Sequence, residues 1–237
     1  MLPLSVRPAA ERRPGVIAVT LPSRRRREML TASVASLRDT AARPDLLEFL
    51  VAYDPDDEET PQTAADLGLD VAWQAPERYG YHGLANYYAA LVSQVTGEWC
   101  LPTWGDDALM QTPGWDDIVR AQPRCSVVCP EDNYPGWVCF PVVHMGVFAV
   151  LRRFCPLPAT DSWYEFVGRD AGIAVRPQPG IFVLQDRFDL TGNNDDETYR
   201  ESRSGYRTAE FYAEPYVTWR AEDAEMLRTC VSAFRDR

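Results

Sequence analysis

The chain contains no lysine: its 24 basic side chains are all arginine. That absence excludes a Walker-type phosphate loop, a pyridoxal Schiff base and a Ser-Lys dyad, each of which needs a lysine amine. Histidine is nearly missing as well. His82 and His144 are too few for a zinc site built on several imidazoles, and neither stands in a Ser-His-Asp context. Six cysteines, Cys100, Cys125, Cys129, Cys139, Cys155 and Cys230, include no Cys-x-x-Cys pair. They read as reduced thiols in a cytoplasmic protein, with a Cys125/Cys129/Cys139 metal cluster as the weaker alternative to buried thiols. No apolar run approaches the ~20 residues that span a bilayer, so no integral membrane segment is expected. Positive charge is also in deficit. With 35 acidic residues the net charge is -11 and the pI about 4.7, which opposes attraction to nucleic acid or an anionic membrane.

What is present suffices for a large core: 237 residues, 46% of them hydrophobic, with no linker-like stretch. Residues 1–15 read as an N-terminal arm, loosened by prolines and arginines, and 16–237 as a single domain. Val16 to Leu21 is a β-branched run ending at Pro22, the form of a buried parallel strand. Leu30, Val34 and Leu37 then recur at helical spacing up to about Thr40. A second strand, Leu46 to Tyr53, breaks into the acidic run Asp54-Pro-Asp-Asp-Glu-Glu59; Thr60 before Pro61 reads as the N-cap of a short helix reaching Leu67. Val71 to Gln74 is a third strand, and Leu84, Tyr88, Leu91, Val92 and Val95 predict a helix stopped by Gly97. This alternation predicts an α/β domain with a mostly parallel sheet flanked by helices. Beyond it, strands are expected at Ser126 to Cys129, Val138 to Val143 and Ile181 to Leu184. Helices are expected at Val147 to Arg153, Asp161 to Ala171 and Glu222 to Phe234, with a mobile polar segment from Asp186 to Tyr206.

The chemistry concentrates between Gly97 and Trp115. Trp99 to Trp104 reads as a fourth buried strand delivering Asp106 and Asp107 at its carboxyl end. Adjacent carboxylates repel unless a cation or donors face them, so the pair is either a metal site or a solvated turn. The acidic run after the second strand also lies where open α/β sheets place ligand contacts. The arginines from Arg24 to Arg27 oppose the dipole of the helix they precede, which suits an anion or acidic loop opposite them.

Taken in order, Thr20-Leu-Pro-Ser-Arg24, Ala52-Tyr-Asp-Pro-Asp-Asp57, Arg78 with Asn86, Gly97-Glu-Trp99, and Gly105-Asp-Asp107 with Thr112-Pro-Gly-Trp115 resemble the family-2-like glycosyltransferases of the GT-A fold. The resemblance covers roughly residues 16 to 200. It implies transfer of a hexosyl-type sugar from a UDP- or GDP-type donor to a hydroxyl acceptor (protein, glycan or small molecule), with inversion and with Mn2+ or Mg2+. Residues 16–115 would form the nucleotide-sugar half and 116–237 the acceptor half with a closing helix.

Pro22, Ser23 and Arg24 would line the nucleotide pocket, Asp54 would meet the base with Asp57 nearby, and Arg78 and Asn86 would hold the nucleotide or its diphosphate. Asp106 and Asp107 would stand for the family's DxD element, Asp107 as the direct metal ligand, although Gly105 replaces the first acid. A histidine that relatives contribute from a late strand is missing, leaving Asp186 as a substitute ligand. Asp161, near the start of a helix, would be the base and Glu165 its reserve. His144 and Trp163 are candidates for the acceptor side, and His82 for a phosphate contact. Two other readings stand beside this one: a degenerate nucleotide-sugar-fold protein used for binding or assembly, and a nucleotidyltransferase. The lack of glycine in Pro22-Ser-Arg-Arg argues against the latter.

Overall fold

The computed structural model of the chain describes residues 1–134, 138–157, 160–193, 196–203 and 208–235. In chain order the elements are β1 (Leu2–Pro3), β2 (Arg13–Pro22), α1 (Arg27–Thr40), β3 (Leu47–Tyr53), α2 (Glu59–Asp66), β4 (Asp70–Gln74), α3 (Leu84–Val92), β5 (Gly97–Leu101), β6 (Ala108–Met110) and α4 (Trp115–Arg120). They continue with β7 (Val127–Val128), β8 (Glu131–Asp132), β9 (Val142–His144), α5 (Met145–Leu151), β10 (Arg153–Phe154), α6 (Thr160–Asp170) and β11 (Ala174–Val175). The last are β12 (Phe182–Gln185), α7 (Phe188–Thr191), α8 (Glu197–Arg203), α9 (Thr208–Phe211) and α10 (Tyr216–Arg235).

The main sheet has the order β11-β7-β9-β5-β2-β3-β4. Strands β5, β2, β3 and β4 run parallel, and β9 is antiparallel to both neighbours. Alternation along each strand divides the core in two. Ile17, Val19 and Leu21 of β2, Phe49 and Val51 of β3, and Trp99 and Leu101 of β5 join Leu30, Val34 and Leu37 of α1 on one face. Ala18, Leu50, Ala52 and Cys100 point the other way, onto Tyr88, Leu91 and Val92 of α3 and the cluster of α5, α6 and α10. Gly97 is required where β5 starts: a Cβ there would lie 2.7 Å from the Val16 carbonyl oxygen.

The structure bears out the α/β architecture and departs from the sequence reading in detail. The arm is not loose at its start, because Leu2 and Pro3 pair antiparallel with Phe154 and Arg153 and Leu4 is buried. Thr60 does not cap α2. The cap is the Asp57 carboxylate, which accepts from the Glu59 and Thr60 amides at 3.0 and 3.1 Å, a role open to it because it sits one turn earlier. Helix α3 ends at Val92, short of Val95. The polar segment from Asp186 carries α7 and α8, the latter held by ion pairs of Asp196 and Glu201 that composition does not reveal; residues 194, 195 and 204–206 lie outside the described residues.

Candidate active site

A cavity of about 180 Å³ opens at the carboxyl ends of β2, β3 and β5 and is walled by residues following β8, β12 and the start of α6. Its cradle begins with the turn between β2 and α1, where Arg25 adopts the left-handed conformation (φ 52°) that non-glycine residues rarely hold. That turn is pinned by the Arg25 amide donating to Asp57 at 3.0 Å. Its neighbours Arg24 and Arg26 both line the cavity.

At one end, buried Asp54 accepts from Arg24 Nη1 at 3.0 Å and from the Tyr87 hydroxyl, with Arg78 Nε 3.8 Å away. Exposed Asp56 chelates the same Arg24 guanidinium at 2.5 and 2.9 Å, and that pairing holds the Asp56 carboxyl near 2. Burial, then the bond to Asp54, keeps the Tyr87 phenol protonated.

In the middle stand the two aspartates. Asp106 is almost fully buried and accepts from Ser23 Oγ at 2.7 Å and Arg26 Nη1 at 2.9 Å. Burial works against the charge on Arg26, but Asp106 and Asp196, the latter bound bidentately at 2.5 and 2.7 Å, more than offset it. Asp107 accepts from the Tyr199 hydroxyl at 2.5 Å, and Tyr199 in turn lies under Arg26, 4.8 Å from guanidinium carbon to ring centroid. Desolvation, then the neighbouring Asp106 charge, raises the Asp107 carboxyl above its usual range. Gly105 fits this packing: a Cβ there would lie 2.2 Å from Asp107 Oδ1, so an aspartate in its place would displace that carboxylate.

At the other end, Asp161 lies in the first turn of α6, and its charge acts on the cavity residues Tyr81, Tyr88 and Cys139. Its Oδ1 accepts from the Ser162 amide at 2.7 Å and hydroxyl at 3.4 Å. Desolvation dominates nonetheless, helped by Asp132, and the carboxyl is pushed up to about 7. A carboxylate poised at neutral pH suits a general base.

Of the residues singled out from sequence, Pro22, Ser23, Arg24, Asp54, Arg78, Asp106, Asp107 and Asp161 line this cavity. The others lie elsewhere. Asp57 caps α2, and the Asn86 amide donates to the Gly83 carbonyl at 3.0 Å. Glu165 turns from the cavity to accept from the Val138 amide and Arg176, both at 3.0 Å. Trp163 is a core residue whose indole donates to Asp223 at 3.0 Å, so it offers no sugar platform. His144 is buried edge-on against Trp99, beside a second cavity near the amino end of β5, where burial lowers its imidazole to about 4. His82 is exposed.

Asp186 accepts from Thr191 and Asn193, while its amide donates to the Asp107 carbonyl at 2.8 Å. The next residue, Arg187, is the one that lines the cavity. Sequence reading missed Arg26, Tyr81, Tyr134, Arg187, Tyr199 and Glu201. The Tyr79-Gly-Tyr-His-Gly83 loop and the Arg24–Arg27 run were the available signals; Tyr199 and Glu201 carried none, because they arrive on α8 from far along the chain.

The residues fit a divalent cation completed by substrate. Among the described residues no group of three or more His, Cys, Asp or Glu side chains forms a protein cage. Asp107 is desolvated, strained by Asp106 and open to the cavity, while both Asp106 oxygens already have donors. One or two carboxylates plus phosphate oxygens is the usual way a hard cation such as Mg2+ is held.

Comparison with solved structures places this fold. The chain is similar to the mannosyltransferase PcManGT from Pyrobaculum calidifontis in complex with GDP-Man and Mn2+, with a TM-score of 0.60 and 15% identity over 99% of this chain and 91% of that one. It is also similar to TarS of S. aureus, residues 1–349 in complex with UDP, with a TM-score of 0.56 and 13% identity over 93% and 91%. The same TarS fragment with UDP-GlcNAc aligns at a TM-score of 0.55 and 13% identity over 90% and 70%. No protein-family model and no curated protein matches the sequence. The fold is therefore that of the GT-A glycosyltransferases, recognised through structure at low sequence identity.

Proposed function

We propose that this chain is an inverting glycosyltransferase that moves a hexosyl group from a UDP- or GDP-type donor to a hydroxyl acceptor. The observation that carries the reading is one cavity holding, at its two ends, the Asp54/Arg24/Arg78 cluster and a lone Asp161 whose carboxyl sits at about 7, with Asp106 and Asp107 between them.

In this reading the base and ribose rest against Pro22, Ser23, Arg24 and Asp54, and the diphosphate lies near Arg26 and Arg78. Asp107, with the diphosphate oxygens, would hold Mn2+ or Mg2+. When bound, the cation neutralises charge developing on the leaving diphosphate. Asp106 serves by holding Ser23 and Arg26 in place. Asp161 takes the proton from the acceptor hydroxyl as its oxygen bonds to the anomeric carbon. The bond from that carbon to the diphosphate oxygen breaks, and the nucleoside diphosphate leaves with the electron pair. Residues 16–115 supply the donor side and 116–237 most of the acceptor side. The free state of all six cysteines supports a cytoplasmic setting, and among the described residues no helix is long and apolar enough to cross a membrane.

Titrating UDP, GDP and their sugar conjugates against the protein with and without Mn2+ tests the donor site. Specific binding at 100 times Kd adds about 2.7 kcal/mol of stability, roughly 5 to 11 °C in Tm at this chain length. No shift with any of them would reject the reading. Product anomeric configuration, read by NMR, tests inversion.

A further inference from the structure

The acceptor end of the cavity carries a cation that the transfer chemistry does not call for. The donor end holds Arg24 and Arg78, and the middle holds Arg26, each engaged with Asp54, Asp56, Asp106, Asp196 or Glu201. On the wall formed by residues following β8, β12 and the start of α6, Arg187 is the one cation among the described lining residues.

Its position is fixed from two sides. The Asp186 amide is tied to the Asp107 carbonyl at 2.8 Å, continuing the pairing of Gln185 with Ala108, so the chain enters Arg187 directly beside the aspartate pair. The guanidinium then lies over Tyr134, 5.4 Å from carbon to ring centroid. It acts electrostatically on Asp107, and on Tyr81 and Cys139, each of which also feels both Asp161 and Asp107. Arg187 thus lies beside the metal-side aspartate and shares the neighbours Tyr81 and Cys139 with the base.

Resting on the glycosyltransferase reading above, we propose that the acceptor is an anionic alcohol, and that Arg187 binds its phosphate or carboxylate while Asp161 receives its hydroxyl proton. A planar guanidinium braced on an aromatic face presents a fork that matches either anion. An arginine in this place also orders the two substrates. The acceptor's anion and the donor's diphosphate repel each other, so cations at separate ends of one cavity keep each in its own subsite.

The test uses the full chain with the donor subsite filled first by saturating UDP or GDP and Mg2+, so that an added anion cannot occupy it. sn-Glycerol 3-phosphate and D-glycerate are then titrated against glycerol by calorimetry. At least one anion is expected to bind tenfold or more tightly than glycerol. Arg187→Ala should weaken that anion at least tenfold and leave nucleotide affinity within twofold, and Arg187→Lys should recover part of the loss. Glycerol binding as well as both anions, neither anion binding, or Arg187→Ala weakening the nucleotide as much as the anion would each overturn the proposal. Failure of the nucleotide to bind in the first step would instead reject the glycosyltransferase reading on which it stands.

Discussion

Two aspartates occupy the same place in two helices and end in opposite electrostatic states. Asp116 is the second residue of α4 and Asp161 the second residue of α6. Asp116 is completely buried, yet it accepts from the Ala42 amide at 2.7 Å, the Arg43 amide at 2.9 Å and Arg120 at 2.5 Å. Burial alone would raise its pKa; these donors overcome that and lower it. Among the described residues, Asp161 has Ser162 alone as its donor and is driven up to about 7. Burial of a carboxylate is therefore not the mark of a reactive one. The number and charge of its donors decide, and a site that must take up a proton is one where those donors are withheld.

The largest effect expected from breaking this contrast is at Asp161. Asp161→Asn keeps shape and removes the base, so kcat should fall by about 10²- to 10⁴-fold while nucleotide affinity stays within twofold. In the wild-type enzyme kcat/KM should climb as pH rises and level off above about 7, where Asp161 is ionised. An Asn variant with full turnover and an unchanged profile would remove Asp161 from the mechanism.

At Asp116 the cost should be in folding. Asp116→Ala strands two amides and takes from Arg120 its buried partner, leaving it the Gly15 carbonyl and Asp117; breaking such a buried pair typically costs 3–5 kcal/mol, about 6 to 20 °C in Tm at this length. Turnover per folded molecule should be unchanged. A loss below about 1 kcal/mol would show that the three donors find other partners and that the contrast with Asp161 is one of exposure.

The pair also explains what could be read from the sequence. The parallel βα frame was legible because its strands are apolar runs and α1 and α3 repeat at helical spacing. The donor end was legible because Pro22 to Arg24 sit at the end of β2, Asp54 directly follows β3, and Asp106 and Asp107 come a short turn after β5, so position along the chain already implies position at the sheet's carboxyl edge. Asp116 and Asp161 could not be told apart, since Asp116's donors come from residues 42 and 43, far off in sequence. The same distance hid Tyr199 and Glu201. Asp186, expected as a substitute metal ligand, gives its carboxylate to Thr191 and Asn193, and it is the next side chain, Arg187, that lines the cavity, since successive side chains of an extended segment face opposite ways. Glu165 shares a helix face with Asp161 by spacing, but Val138 and Arg176 claim it.

A smaller effect sharpens the same comparison through pH. Asp161 binds its proton more tightly folded than unfolded, with its pKa moved from 3.8 to about 7. Between those values the folded state holds more proton than the unfolded one, so this group's contribution to stability falls as pH rises from about 4 to 7. Asp116, lowered on folding, contributes the opposite slope: stability present above the unfolded value and lost as pH drops through the folded one. Asp161→Asn should therefore flatten the decline in stability between pH 4 and 7 and stabilise the protein at pH 7.5 by about 2 kcal/mol, allowing for partial solvent access. Denaturant unfolding at stepped pH measures both. A variant no more stable than wild type at pH 7.5 would mean that Asp161 is not held at a cost.

The smallest effect separates a wall from a brace. Asp57 was expected beside Asp54 at the nucleotide, and it is as buried as Asp54, but its oxygens go to the Glu59 and Thr60 amides, the Thr60 hydroxyl and the Arg25 amide. It is a helix cap that also fixes the left-handed turn at Arg25. Asp57→Ser retains a capping oxygen and should cost about 0.5 kcal/mol or less, whereas Asp57→Ala should cost about 1–2 kcal/mol. Because Arg24 keeps its own hold on Asp54 and Asp56, nucleotide affinity should weaken no more than about threefold in the alanine variant, roughly 0.7 kcal/mol. Tenfold weaker binding in both variants would instead place Asp57 in contact with the nucleotide and make the acidic turn after β3 one continuous binding surface.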